Sequence, residues 1–313
     1  MLRTNHLKTQ DRRQSFRSRR WRARFAIILY LVVLAVLMSG MLPWWLIIIS
    51  LPAAYIGFIQ ICIYGGKEFV RGFFSTLRRR GHADRLVGKI GYSVVLIGPR
   101  KRPFAPIGKT LKEVRSGFRF LEDEASRFGQ RLEFQSAKRR PDFIEIEKPD
   151  LSASQCLEPA ALDRIYEAVA ALPVWAEADR FDGFFVIVLT QWAGYRAQAL
   201  CAHPANDREK EICICPSIAT ASTYAHEVLH LFGAMDLYLE GSEEAAQADR
   251  LKRGVCRLMD KALSIEVDGS IMKQSMGEKS FVDAGNAYAV GWVDDLPFDR
   301  DGANENPSER IYI

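Results

Sequence analysis

From Phe25 to Tyr64, forty consecutive positions carry no charged side chain, an apolar run with no counterpart in the rest of the chain. As helix it would reach roughly 60 Å at 1.5 Å per residue, about twice the ~30 Å of a bilayer core. Ser39-Gly40-Met41-Leu42-Pro43 breaks the run, which therefore predicts two short spans, about Phe25 to Met41 and Pro43 to Tyr64, with Trp44 and Trp45 at the headgroup level between them. Farther on the pattern shortens to the periods of a folded domain. Leu111, Val114, Phe118, Leu121 and Ala125 recur at three and four residues, which predicts an amphipathic helix from Thr110 to Phe128. Gly91 to Ile97, Arg131 to Phe134 and Phe143 to Ile146 read as strands, Glu158 to Ala171 as a helix, and the unbroken apolar Phe184 to Leu189 as a central strand buried on both faces. Tyr195 to Ala202 and Glu211 to Cys215 form a further candidate strand pair, just before a helix that starts near Ser217. Gly241 to Lys261 and Phe281 to Trp292 complete the helices.

Charge divides the chain in the same place as hydropathy. The net +5 over 313 residues hides nine Lys/Arg against one acid in residues 1 to 24 and five against one in residues 65 to 80; the remainder holds 29 basic and 36 acidic residues. The later part is thus acidic, and nucleic acid is not an expected partner. Two domains follow: residues 1–80, a basic N-terminus, a transmembrane hairpin (about 25–41 and 43–64) and a basic juxtamembrane segment; and residues 81–313, one globular domain. Basic flanks resist translocation, so both ends of the hairpin and the domain are expected on the cytoplasmic side of a bacterial inner membrane, with the lipid bilayer as a partner. A single span plus an interfacial segment would instead place the domain outside. The run is too long for a signal-peptide core. Phe69, Val70, Phe73 and Phe74, mixed with cations, suit either a membrane surface or a helical continuation. Cys156, Cys201, Cys213, Cys215 and Cys256 follow no metal-binding spacing and read as buried thiols, a Cys201–Cys213 disulfide staying open for an extracytoplasmic domain.

The chemistry is concentrated in His226-Glu227-Val228-Leu229-His230-Leu231-Phe232-Gly233-Ala234-Met235-Asp236. One helical turn separates His226 from His230, so both imidazoles leave the same face and converge. Glu227 points sideways, placed to take a proton from metal-activated water without joining the ligands. Gly233 is suited to the left-handed conformation that ends a helix and lets Asp236 return as a third ligand. Two imidazoles favour a borderline-soft ion, and zinc is the commonest of these.

This His-Glu-x-x-His-x-x-Gly-x-x-Asp resembles the elongated zinc motif of the metzincin metalloproteases, with Asp in place of the usual third His as in the snapalysin type. Asp268-Gly269-Ser270-Ile271-Met272 resembles the family's methionine turn, with Met272 as its methionine and Met276 as a second candidate. The resemblance covers residues 217 to 292. It implies an α+β fold, a twisted mixed sheet with an active-site helix and Met-turn; one catalytic Zn²⁺ on His226, His230 and Asp236; Glu227 as general base; and an edge strand that pairs with an extended peptide. Together with the apolar hairpin it implies a membrane-anchored zinc endopeptidase acting on protein or peptide substrates near the bilayer. Where the family usually carries a Tyr shortly after the methionine, this chain has Gln274, so oxyanion stabilisation stays unassigned, with Tyr238 and Tyr288 as candidates. Two rival readings remain: a third ligand at Glu243 or Glu244, and an inactive scaffold or structural zinc protein.

Overall fold

The computed structural model describes residues 65–74, 85–99, 107–147, 157–192, 196–201, 209–239, 245–263, 265–273 and 280–296. The chain divides into two compact units, Met1–Val70 and Arg71–Ile313. Of the first, residues 65–70 are described and are helical. The second holds all the elements that follow.

In chain order these are β1 (Gly88–Gly98), α1 (Ile107–Arg127), β2 (Leu132–Ser136), β3 (Asp142–Glu145), α2 (Pro159–Ala170), a 3-10 helix (Pro173–Arg180), β4 (Gly183–Thr190), β5 (Gln198–Leu200), β6 (Ile212–Pro216), α3 (Ala221–Leu231), α4 (Ala246–Arg257), a π-helical turn (Leu258–Ala262) and α5 (Ala284–Ala289). Among the described residues six strands form one sheet in the order β2-β1-β4-β6-β5, with β3 also on β1. β1 runs parallel to β2, β3 and β4, and β4 parallel to β6; β5 alone is antiparallel, pairing Ala199 with Cys213. The architecture is a mixed α/β fold rather than the expected α+β class, because the strand–helix alternation joins parallel strands by crossovers instead of hairpins.

Both faces of the sheet are covered, which is why β4 reads as unbroken apolar sequence and is buried along its whole length. Strand alternation sends Phe184, Val186 and Val188 to one face, where they meet Ile165 and Val169 of α2 and Val174 and Trp175 of the 3-10 helix. Phe185 goes to the other face and packs edge-on against Phe118 of α1 and against Phe232 just after α3. α1 and α3 approach closely through Gly117: a Cβ there would lie 2.6 Å from the carbonyl oxygen of Ala221.

The transmembrane hairpin expected at Phe25–Met41 and Pro43–Tyr64 is corrected. Among the described residues no helix is long and apolar enough to cross a membrane, and the two segments themselves lie outside the described residues. α1 has the length, 21 residues, but nine of them are charged, as its amphipathic packing demands. The integral-membrane location, the inner-membrane orientation and the lipid partner lose their support together. The juxtamembrane reading of the aromatic segment changes too, since Phe73 and Phe74 are buried in the second unit, with Phe74 against Gly285 of α5.

Candidate metal centre

α3 starts at Ala221, four residues later than the pattern predicted, because Ala219 closes a turn onto the Pro216 carbonyl. Its first free amide is satisfied from another helix: Ala221 N–H donates to the Glu113 carboxylate of α1 at 3.0 Å. At the other end Gly233, with φ +109°, donates to the His230 carbonyl and Ala234 to that of Leu229, a glycine-terminated C-cap of the paired type. The chain thereby turns back, and Asp236 reaches the helix face that carries both histidines.

The three predicted ligand atoms meet. His226 Nε2 and His230 Nε2 lie 3.1 Å apart, and Asp236 Oδ1 stands 3.0 Å from each. His226 Nδ1 faces the Ile271 carbonyl at 3.1 Å and His230 Nδ1 the Ala234 carbonyl at 2.9 Å. A carbonyl only accepts, so each ring donates from Nδ1, and in the neutral tautomer that this selects Nε2 turns its lone pair inward. Asp236 Oδ1 is buried between them, 3.0 Å from each nitrogen. Three lone pairs facing one point repel unless something positive stands among them. Three donors each about 2.0–2.2 Å from one ion stand roughly 3 to 3.5 Å apart, so the separations fit a metal such as zinc. The side chains keep 17, 18 and 23 % of their surface, so all three are partly exposed.

Acid–base behaviour registers the same demand for positive charge. Burial lifts the Asp236 carboxyl, but the hydrogen bonds and charges of His226 and His230 override it and hold the group far below the usual carboxylate range. Burial lowers His226, and Asp236 and Glu227 more than reverse this, leaving it raised. Glu227 is raised by burial against the pull of both histidines, while the Ala199 backbone on β5 hydrogen-bonds its carboxylate.

Ser270 to Lys273 form a tight turn closed by Lys273 N–H on the Ser270 carbonyl. Ile271 gives its carbonyl to His226, and the buried Met272 accepts from Leu237 N–H at 2.7 Å, so this turn abuts both sides of the cluster. Tyr238 lies with its ring 6.1 Å from that of His226 and the Lys252 ammonium 5.2 Å from its own. Tyr288 sits in the last turn of α5, while Met276, Gln274, Glu243 and Glu244 lie outside the described residues. Cys201, Cys213 and Cys215 are reduced thiols, the last two buried, so no Cys201–Cys213 disulfide forms.

Sequence reasoning missed the Ala199 contact to Glu227 and a polar cluster of Ser270, Asp283 and Asn286 behind the turn. The Asp283-x-x-Asn286 spacing signals a helix cap, which it is, but nothing in the spacing signals the bond from Met235 N–H to Asn286 Oδ1.

No family model matches the chain, and no curated protein matches it. Among solved structures it is similar to a chaperone-substrate complex, at 15% identity and a TM-score of 0.32 over 50% of this chain and 25% of that one. It is also similar to metalloproteinase-II from Bacteroides fragilis, at 11% identity and a TM-score of 0.34 over 72% of this chain and 61% of that one. The chain thus spans a quarter of the first and about three fifths of the second. Likenesses this remote carry no part of the functional argument.

Proposed function

We propose that this chain is a zinc-dependent peptidase in which His226, His230 and Asp236 hold the ion and Glu227 is the general base. The observation that supports the reading is the triangle of 3.0–3.1 Å between the two Nε2 atoms and Asp236 Oδ1, with each Nδ1 facing a backbone carbonyl. Zinc, when bound, supplies Lewis acidity that polarises a carbonyl and acidifies water. The residues do the rest. The Glu227 carboxylate, next to the ligands but not one of them, accepts the proton of the water that attacks the peptide carbonyl and returns it to the departing amine. Burial disfavours its charged form and so favours its taking up a proton.

A peptide is the substrate class that suits the surroundings. Among the described residues β5 is an edge strand of the sheet, and it borders the site, with Ala199 at Glu227 and the Cys201 thiol 3.5 Å from the His230 carbonyl. An extended backbone can pair along such an edge and bring a scissile bond past the base.

The test is metal content and turnover together. The purified chain should hold one zinc and cleave a denatured protein substrate; Glu227→Gln should keep the zinc and lose at least 100-fold in turnover. A zinc-loaded chain that cleaves nothing would favour the structural-zinc scaffold, and full activity in Glu227→Gln would remove the proposed base.

A further inference from the structure

Behind the ligands lies a buried polar cluster, and we infer that Asn286, clamped by Asp283, is a positioning residue that presets the third ligand and the first histidine for the ion. The inference rests on the metal-centre reading above.

Every link has a short distance. Asn286 Oδ1 accepts from Met235 N–H at 2.6 Å, immediately before Asp236. Asn286 Nδ2 donates to Asp283 Oδ2 at 2.8 Å, and the same oxygen accepts from Ser270 Oγ at 2.6 Å. Ser270 Oγ in turn accepts from Met272 N–H at 3.3 Å, within the turn whose Ile271 carbonyl holds His226 and whose Met272 carbonyl holds Leu237 N–H. The backbone is therefore pinned on both sides of Asp236, by Asn286 before it and by Met272 after it. One carboxylate joins the two pins.

The amide can face only one way. A carboxylate does not donate and an amide NH₂ does not accept, so Nδ2 must face Asp283 and Oδ1 must face Met235. Rotated by 180°, the side chain would set oxygen against oxygen and N–H against N–H, with no water-exposed alternative, because Ser270, Asp283 and Asn286 are all at most 1 % exposed.

Capping explains only part of this. Asp283 Oδ1 accepts from Asn286 N–H at 3.0 Å as the N-cap of α5. That bond uses the backbone of Asn286 and the other carboxylate oxygen. The side-chain bond to Met235 does nothing for a six-residue helix; it holds the strand of chain that ends in a metal ligand. Outer-shell groups of this kind typically alter metal affinity by about 10- to 100-fold.

The full-length chain is titrated with zinc against a chromophoric chelator, and its cobalt(II)-loaded form is followed by visible absorption. Three variants are compared: Asn286→Ala, Asn286→Asp, and the exchange Asp283→Asn with Asn286→Asp. Asn286→Ala should bind zinc about 10- to 100-fold more weakly and shift the cobalt bands. Asn286→Asp sets two carboxylates together and should be as weak. The exchange restores an amide facing a carboxylate, with an acceptor again at Met235 N–H, and should return to within about threefold of the unaltered chain. Unaltered zinc affinity in a folded Asn286→Ala overturns the inference, as does a folded exchange variant that stays as weak as the single changes. If Asn286→Ala fails to fold, the exchange variant decides alone by the same criterion. If the unaltered chain itself binds no zinc, the metal-centre reading fails first and takes the inference with it.

Discussion

The carbonyl oxygen of Ile271 lies 3.1 Å from Nδ1 of His226, a residue forty-five positions earlier in the chain. That contact commits Nδ1 of His226 to donating, and so leaves Nε2 for the proposed ion. Its partner, the Ala234 carbonyl on His230, does the same for the second ring.

Supplying and removing the ion should change stability by mass action. At free zinc about 100-fold above its Kd the folded chain should gain about 2.7 kcal/mol, read as a higher thermal midpoint that a chelator abolishes. Asp236→Ala should unfold at the same temperature with and without zinc. A midpoint in Asp236→Ala that still rises with zinc would place the third ligand elsewhere.

Gly117 tests the seat of the motif helix. A Cβ at this position meets the Ala221 carbonyl at 2.6 Å, backbone that cannot swing aside. Gly117→Ala gains up to about 1 kcal/mol of helix propensity but forces α1 and α3 apart, at a cost of about 1–3 kcal/mol. A lower urea midpoint and weaker zinc binding are expected. A stabilised variant would show that the two helices separate freely.

Gly233 tests the return of the chain to Asp236. Its φ of +109° is unfavourable for any side chain, so Gly233→Ala should lose about 1–2 kcal/mol of stability and bind zinc more weakly. Urea unfolding and chelator competition measure the two effects separately, and an unchanged zinc affinity would free Asp236 from dependence on this cap.

Glu124 makes stability depend on pH. Burial lifts its carboxyl above the ordinary 4.5, against the charge of Arg127 and the bond from Val282 N–H at 2.6 Å. An acid raised in the folded state binds its proton more tightly there than when unfolded, so the stability it lends is complete below 4.5 and is lost as pH rises through its folded value. Glu124→Gln, which keeps an acceptor for Val282, should gain on the unaltered chain as pH climbs from 4.5. Urea midpoints between about pH 4 and 7 give the difference. A trend in the opposite sense would mean that the pairing with Arg127 outweighs burial.

How much was legible follows from how local each cause is. His226, Glu227, His230 and the Gly233 cap lie within eight residues, and one helical turn sets their geometry, so the sequence pattern alone places them. Asp236 follows from the same cap. The strand pair before the motif and the two-sided burial of β4 were also readable, the first from two short runs around a polar turn and the second from an unbroken apolar run. The parallel order of the sheet was not, because the pairing of β1 with β4 joins segments about ninety residues apart, as Ile90 with Gly183. For the same reason Ile271, Ala199 and Asn286 gave no sign of serving the motif. Hydropathy also misled: a long apolar run was read as a membrane hairpin, and the Phe73-Phe74 pair next to it is packed into the folded unit. The final helix is shorter than its apolar pattern suggests, since Trp292 buries itself outside any helix by donating Nε1–H to the Leu86 carbonyl at 2.6 Å.

Phe74 reaches the space beside Gly285 that a Cβ would occupy, with its ring 2.4 Å from that point, and Gly285 is the immediate neighbour of Asn286. A fragment trimmed to begin at residue 81, where the charge pattern changes, would therefore leave a ring-sized hole against the helix that steadies the ligand loop. Filling such a hole by collapse would tilt α5 and shift its amide from Met235. Weak zinc binding in so short a fragment would report the missing aromatic plug and say nothing about the ligands themselves; the shortest faithful fragment keeps Phe73 and Phe74.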